Sequence, residues 1–395
     1  MAGALEGLKI LDFSTLVPGP YATMCLADMG ADVLRIKSGS RPDVVDYLPP
    51  FLPETEMSAV SAQLGRNKKV MTLNLKDSRA IEVIHQLIGE YDIIIEQFRP
   101  GVMAKFNLDY ESLKEINPRL IYCSLTGYGQ TGPMKDRAGH DINYIAQSGV
   151  ASYSGKKESG PPLIGIQMAD IAAGSNNAII GILSAVIYRE RTGKGQHIDV
   201  SMTDGMIAFN SFMKGAAYLV DGKDAGMEDN MLNGGSLYDY YATLDGRYLS
   251  FGGVEPQFFK AFCQTIGRPE LTAGGVTPKN VDQVKQEIKE IIKRKTLDEW
   301  MIEFNEADAC VEPVLTLSEV LEGPLVQERC MVVEVPGPNG RKVKQIANPI
   351  KFSESSPEYR HTAIPNSEAN TKEIMKKLGY SQAEFEEFTN TGLFS

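Results

Sequence analysis

The first half of the chain alternates short apolar runs with longer amphipathic segments. Apolar runs of strand length lie at residues 8–13, 31–36, 70–75, 91–96, 120–125 and 196–202. Residues 21–29 and 78–88 have the apolar spacing of helices, and Pro20 and Ser78 suit the first helical turn and the N-cap respectively. Strands that alternate with helices predict an α/β fold whose mostly parallel, Rossmann-like sheet is covered on both faces.

The second half of the chain has a different pattern. Residues 170–189 are small and apolar, which predicts a helix buried on most sides. Residues 238–251 predict a hairpin turning at Asp245-Gly246, and residues 256–266 and 281–292 predict amphipathic helices. We therefore expect a large α/β domain beginning with residues 1–200, a linker at 201–225, a smaller α+β domain at 226–325, and a return segment at 326–395 that completes the large domain.

Charge and composition restrict the function. The formal net charge of −11 argues against non-specific binding of nucleic acid. The five cysteines lack CxxC spacing and the four histidines do not cluster, so neither a disulfide framework nor a metal site is expected. The N-terminus lacks the features of a signal peptide, and no run of about 18 apolar residues stands out. We expect a cytoplasmic protein with no membrane span.

A glycine motif follows the strand at residues 120–125. Residues 127–132 match GxGxxG, but a dinucleotide site needs a helix that opens directly on these glycines. The polar segment at residues 133–137 follows instead. The pattern therefore favours a glycine loop that bends the chain, in preference to a nucleotide site. Such a loop would also let a ligand approach the backbone closely.

Two titratable residues are candidates for acid/base chemistry. His140 precedes Asp141 just after a loop, and an imidazole is suited to general-base work near neutral pH, although a single histidine is more often structural. Asp170 begins the apolar helix, where a carboxylate commonly caps the free amides. Those same amides could instead hold a developing oxyanion.

Basic residues border several predicted strands. They are Arg35, Lys37, Arg66, Lys68, Lys69 and Arg99. Ligands of open α/β sheets bind at the carboxyl ends of the strands, so these side chains are candidates for gripping phosphates; ordinary surface charge is the alternative.

Taken together, these segments resemble the family III CoA-transferases, and within them the 2-methylacyl-CoA racemases. The resemblance to the whole family lies at residues 8–12, 18–20, 30–36, 66–69, 98–102, 126–133 and 191–196. Three further segments are similar to the racemases in particular: residues 138–144 (AGHDINY), 252–258 (GGVEPQF) and 309–315 (ACVEPVL).

The resemblance implies an acyl-CoA racemase of lipid metabolism in which His140 and Asp170 form the acid/base pair and Glu255 supports the histidine. It also implies an interlaced homodimer and no cofactor, since coenzyme A is part of the substrate. The implied contacts to coenzyme A are Arg35, Lys37, Arg66, Lys68, Arg99, Tyr128, Gly129 and Asp141. Two alternatives remain: a CoA-transferase with Asp170 as nucleophile, and a non-catalytic acyl-CoA-binding protein.

Overall fold

The computed structural model describes residues 3–364 and 368–395. Its strands are β1 (Lys9–Asp12), β2 (Asp32–Lys37), β3 (Lys69–Thr72), β4 (Ile93–Glu96), β5 (Ile121–Thr126), β6 (Gln196–Ser201), β7 (Asp239–Ala242), β8 (Tyr248–Phe251), β9 (Val311–Pro313), β10 (Val332–Pro336) and β11 (Lys342–Ile346). Every strand predicted in the first half of the chain is present, within a few residues of its expected bounds.

The first six strands form one parallel sheet in the order β3-β2-β1-β4-β5-β6. Parallel neighbours require crossover connections, which explains the helical segments between successive apolar runs. The predicted α/β fold with a Rossmann-like parallel sheet is therefore confirmed. The carboxyl ends of all six strands lie at one edge of the sheet.

Helices occupy most of the connections. The α-helices are Pro18–Asp28, Ala59–Leu64, Ser78–Leu87, Tyr110–Leu113, Asp141–Gln147, Asn176–Thr192, Met202–Ala208, Lys214–Asp221, Pro256–Thr265, Val281–Ile292, Leu297–Phe304, Leu317–Glu322, Pro324–Glu328, Glu368–Lys377 and Gln382–Asn390. Short 3-10 helices lie at Val44–Tyr47, Met103–Phe106, Val150–Tyr153, Phe209–Ser211, Pro269–Thr272 and Pro338–Gly340. A π-helical turn, Ala169–Ser175, leads directly into Asn176–Thr192. We call the two together the Asp170 helix.

The chain folds into two compact units. The large unit contains residues up to 148, residues 165–208 and residues from 326 onward, and the small unit contains residues 149–164 and 209–325. Residues 201–225, which composition predicted to be a linker, instead contain the helices Met202–Ala208 and Lys214–Asp221. The glycine and aspartate content that suggested a linker begins only after the second helix.

One face of the parallel sheet holds the main core of the large unit. Alternate residues of the strands point to this face, as the period of a strand requires. Leu34, Met71 and Ile94 pack there with Val83 and Leu87 of the Ser78–Leu87 helix. The C-terminal helices contribute to the same core, through Ile374, Met375, Phe385 and Leu393. The tail of the chain thus returns to the sheet of the large unit.

The small unit has a separate core beneath the antiparallel sheet β7-β8-β9. The predicted hairpin is present as β7 and β8, and Gly246 in its turn has a positive φ of 74°. Trp300 lies in this core and is 2% exposed, and its indole N–H donates to the carbonyl of Ile292 at 2.7 Å. A buried indole needs such an acceptor, so this bond fixes the orientation of the ring.

Residues 169–192 form one helix that is long and apolar enough to cross a membrane by length and composition, a property that the sequence pattern did not reveal. One such helix in the described part of the chain is weak evidence, because the core helices of soluble proteins pass the same test. Ala178, Ile182 and Ala185 of this helix are buried within the protein, but Ile180 and Ile187 are 60% and 53% exposed, so the prediction of a helix buried on most sides is wrong. A single helix of this kind does not by itself indicate a membrane span.

Candidate active site

His140 and Asp170 are brought together in the large unit. His140 precedes the Asp141–Gln147 helix, where its backbone N–H donates to the side-chain oxygen of Asn143 at 3.0 Å and its ring is exposed. Asp170 is the second residue of the Asp170 helix and is partly buried. The carboxylate of Asp141 accepts the backbone N–H of Asp170 at 2.9 Å, which ties the two helices together at their beginnings.

Asp170 lies in an environment suited to proton transfer. Burial raises the pKa of its carboxyl to about 6, the negative charge of Asp141 adds to this effect, and the nearby His140 opposes it. A carboxyl whose pKa is close to neutrality is available both as an acid and as a base at physiological pH. The site therefore contains two adjacent groups, an imidazole and a carboxyl, that can each carry the proton.

The raised pKa of Asp170 has a consequence for stability. Because the folded state holds this proton more tightly than the unfolded state, its contribution to the free energy of unfolding is lost as pH rises from the ordinary value of 3.8 through about 6. We expect Asp170→Asn to raise the free energy of unfolding by roughly 1 kcal/mol at about pH 8, after allowing for solvent screening. The gain should shrink at about pH 4. Urea unfolding at both pH values measures this, and an equal gain at both would contradict it.

Close backbone packing sets the position of Asp170. A Cβ on Gly205 would lie 2.6 Å from the carbonyl oxygen of Ala173. Glycine at position 205 therefore lets the Met202–Ala208 helix approach the π-helical turn more closely than a residue with a side chain would. The hydroxyl of Ser175 donates to the carbonyls of Pro18 at 2.7 Å and Asp170 at 3.0 Å. π-Helical turns occur frequently at functional sites, and here the turn contains the candidate acid/base residue.

The glycine motif at residues 127–132 bends the chain and packs against the His140 region. A Cβ on Gly127 would lie 2.4 Å from the ring of Tyr144, and a Cβ on Gly139 would lie 2.7 Å from it. Tyr128 packs edge-on against Tyr144, with the ring centroids 5.2 Å apart. Gly129 has a φ of 79°. No helix begins in the described residues 127–140, so the motif lacks the geometry of a dinucleotide site and is a glycine loop.

Two of the predicted phosphate contacts have partners inside the protein. Arg66 and Lys68 are fully buried. Arg66 donates to both carboxylate oxygens of Asp28, at 2.9 and 2.7 Å, and Lys68 donates to Asp12 at 3.2 Å. Burial lowers the pKa of Lys68 to about 8, against the opposing effect of Asp12. Both side chains have internal partners, and Lys68 also lines a cavity of about 490 Å³ with Arg35 and Lys37, so the phosphate role of these residues stays a prediction.

Arg35 and Lys37 also have carboxylate partners. Arg35 is buried against Asp43, and Lys37 forms an ion pair of 2.5 Å with Asp46. Both partners lie in the loop that follows β2. Lys69, which was also a candidate, pairs with Asp32 at 3.1 Å. An ion pair reduces the positive charge that such a side chain can offer to a phosphate.

Arg99 is the remaining basic residue of the predicted set. It is exposed in the loop after β4, and its guanidinium has no ion pair or hydrogen bond among the residues that the structure describes. It lines a cavity of about 230 Å³ together with Glu96, Tyr110, Ser124 and Gln130. The cavity lies at the carboxyl ends of β4 and β5, where sheets of this kind bind ligands.

A polar cluster that was not predicted from the sequence lies beside Arg99. Burial raises the pKa of Glu96 to about 7, and hydrogen bonds from Ser124 and the backbone of Phe98 oppose this. The Ser124 hydroxyl lies 3.0 Å from Nε2 of His197. Parallel register places Glu96 beside Ser124. The available signal was the polar residue that ends the apolar strand β4, together with the alternate polar positions Tyr122, Ser124 and Thr126 of β5.

Glu255 belongs to the small unit. It is exposed and directly precedes the Pro256–Thr265 helix. Its predicted support of His140 stays a prediction, as do the predicted contacts of Tyr128, Gly129 and Asp141 with coenzyme A.

Comparison with known proteins identifies the class to which this fold and site belong. The sequence model of CoA-transferase family III matches residues 5–371, and the chain belongs to that family. It is therefore an enzyme of the family III CoA-transferase and racemase kind, as the sequence resemblance indicated.

Individual relatives carry out two different reactions. The chain is 35% identical over 386 residues to human alpha-methylacyl-CoA racemase, an alignment that covers 96% of this chain and 95% of that protein. It is 31% identical over 405 residues to mouse succinyl-CoA:glutarate CoA-transferase, with 98% and 90% covered. The crystal structure of a CAIB/BAIF family protein from Brucella suis has a TM-score of 0.84 at 28% identity and covers 96% of this chain and 100% of that one. The family is thus certain, and the two reactions have similar support from identity alone.

Proposed function

We propose that this enzyme is a racemase that interconverts (R)- and (S)-2-methylacyl-CoA thioesters. The observation that carries the proposal is the pairing of His140 with Asp170, whose raised pKa lets it act as an acid as well as a base. A CoA-transferase of this family needs Asp170 as a nucleophile but has no comparable need for an imidazole beside it. The 35% identity with the human racemase supports the same choice.

The chemistry requires two proton carriers. The α-proton of a thioester is weakly acidic because the charge of the enolate spreads onto the carbonyl oxygen, and racemisation returns a proton to the opposite face. In one direction a neutral His140 removes the proton while a protonated Asp170 supplies one. In the other direction an ionised Asp170 removes it while a cationic His140 supplies one. Both directions use the pair with the same total number of protons, so the two groups titrate as one unit.

The groups around His140 and Asp170 would assist the reaction. Backbone amides of the Asp170 helix or of the glycine loop would stabilise the enolate oxygen. Glu255 would orient the imidazole of His140. The substrate brings its own coenzyme A and no further cofactor is required. We also propose that the protein is a cytoplasmic homodimer of lipid metabolism.

The test is incubation with (S)-2-methylacyl-CoA in deuterium oxide, without any acceptor acid. Proton NMR follows the α-position and chiral analysis follows the configuration. Entry of deuterium with inversion is the expected result, because the pair removes the α-proton and returns one that has exchanged with solvent. Without an acceptor acid, no transfer reaction competes. Absence of exchange, followed by movement of coenzyme A once succinate is added, would instead establish the transferase.

Arg99 is expected to bind a phosphate of the coenzyme A part of the substrate. We predict that Arg99→Ala raises KM for the acyl-CoA by about tenfold or more and leaves kcat within about threefold, because binding that is equal in ground and transition states affects KM alone. Lys37→Ala is the matched control, since Lys37 already pairs with Asp46. Steady-state kinetics of both variants provide the measurement. An unchanged KM in the Arg99 variant, or a larger rise in the Lys37 variant, would contradict this assignment.

A further inference from the structure

Asp141 connects the two residues on which the proposed reaction depends. It follows His140 in sequence, and its carboxylate oxygen Oδ1 accepts the backbone N–H of Asp170 at 2.9 Å. The bond joins positions 29 residues apart, and the intervening residues 149–164 belong to the small unit. Within the large unit, this contact therefore fixes the first turn of the Asp170 helix against the residue next to the imidazole.

The same carboxylate adds a charge to the site. It is partly buried and lies close enough to Asp170 for the two negative charges to repel each other. A like charge favours the protonated form of its neighbour. Asp141 thus has two separable effects on Asp170: its oxygen positions the backbone, and its charge favours the neutral acid.

We infer that Asp141 is a positioning residue that holds Asp170 against His140 and sets, through its charge, the lower end of the pH range over which the pair is active. This inference rests on the proposed function, because it assigns Asp141 to the acid/base pair. It differs from the contact with coenzyme A that the sequence resemblance implies. A binding contact acts on KM, whereas a positioning residue acts on kcat and on its pH dependence.

Several ionisable residues lie on the elements around Asp170. His140 and Asp141 are the two that act on its carboxyl appreciably. Tyr144 lies on the same helix as Asp141, and its own pKa is raised to about 12, mainly by burial. The elements packed against the Asp170 helix carry further ionisable residues. They are Tyr21, Cys25 and Asp28 on the Pro18–Asp28 helix, Asp204 on the Met202–Ala208 helix, Tyr122 and Cys123 on β5, and His197 and Asp199 on β6.

Three substitutions separate the two effects of Asp141. Asp141→Asn keeps an oxygen that can accept the N–H of Asp170 but removes the charge. Asp141→Ala removes both the acceptor and the charge. Asp141→Glu keeps the charge on a longer side chain. Circular dichroism and thermal unfolding of each variant establish that it is folded before its kinetics are compared.

The expected results follow from this separation. In Asp141→Asn the acidic limb of the pH profile of kcat/KM should move to lower pH by about one unit, since burial still raises the pKa of Asp170 but the added repulsion from Asp141 is gone. Asp141→Ala should show the same shift and a further loss of kcat of about tenfold or more, because Asp170 is no longer held in place. Asp141→Glu should keep the limb at the wild-type position.

Two outcomes would overturn the inference. One is an acidic limb that stays at its wild-type position in Asp141→Asn. The other is a rise in KM in that variant with kcat and the pH profile unchanged, which would assign Asp141 to the binding of coenzyme A.

A measurement without turnover keeps this result distinct from the fate of the proposed function. Carbon-13 NMR of protein labelled at the aspartate carboxyl reports the titration of Asp170 directly, and the signal is assigned by its loss in Asp170→Asn. The Asp170 titration should lie at lower pH in Asp141→Asn than in the wild type. If the wild type showed no exchange in deuterium oxide, the racemase proposal would fail, and this titration would still decide whether Asp141 tunes Asp170.

Discussion

Replacing His140 with alanine is expected to reduce deuterium incorporation at the α-carbon of (S)-2-methylacyl-CoA by about 10²–10⁴-fold, the usual loss when a general base is removed. The imidazole is exposed and the backbone of His140 is held by Asn143, so the substitution removes the proton carrier and preserves the fold. KM should change little, because the imidazole acts on the α-proton and not on coenzyme A. Exchange monitored by proton NMR across a range of substrate concentrations gives both quantities.

His85→Ala is the matched control for this experiment. His85 lies on the Ser78–Leu87 helix, and its ring makes a single long contact of 3.5 Å with the carbonyl of Asn107. Exchange in this variant should equal that of the wild type. Retention of most of the activity in His140→Ala would exclude His140 as a proton carrier, and retained binding without exchange would exclude loss of folding as the cause.

The second large effect concerns stability. Arg66→Met is expected to lower the free energy of unfolding by about 3–5 kcal/mol, because the substitution leaves Asp28 charged, buried and unpaired. Arg66 also donates to the side chain of Gln345 at 3.1 Å and to the carbonyl of Ile346 at 2.9 Å. Through Arg66, these bonds connect β11 with Asp28 of the Pro18–Asp28 helix. The loss should be larger at neutral pH than in acid, where Asp28 accepts a proton.

Arg341→Met is the control for the buried pair. Arg341 pairs with Glu54 on the surface, where both side chains are more than half exposed, and such pairs contribute about 0–1 kcal/mol. Denaturant unfolding of the two variants compares a buried guanidinium with an exposed one. Wild-type stability combined with weakened binding of acyl-CoA in Arg66→Met would support the phosphate role that the sequence suggested.

The positions of the strands along the chain were predictable because each strand depends on a local pattern. Apolar runs of strand length, separated by amphipathic segments, predicted the six parallel strands and the turn at Asp245-Gly246. The partners of the basic residues were not local. Asp28 lies 38 positions from Arg66, and Asp12 lies 56 positions from Lys68, so the sequence could not show that these cations are neutralised inside the protein. Asp43 and Asp46 could have been recognised as partners from the sequence, since they lie only 8 and 9 positions from Arg35 and Lys37.

In the candidate site, too, local features were predictable from the sequence and contacts between distant residues were not. Asp170 could be placed at the start of a helix from the sequence, because the apolar segment begins there. The hydrogen bond from its N–H to Asp141 could not, because residues 149–164 intervene and join a different unit. The raised pKa of Asp170 depends on burial and on that neighbouring charge, both of which exist only after folding.

Trp300 provides a natural optical label for the smaller of the two units. It is the only tryptophan in the chain, and it is buried in the small unit. Its fluorescence, excited at the red edge of the absorption band, therefore reports the melting of the small unit alone, while far-ultraviolet circular dichroism follows the helices of both units. Arg66→Met should shift the dichroism transition and leave the emission transition in place. The difference between the two curves would measure how far the units unfold as independent cooperative blocks.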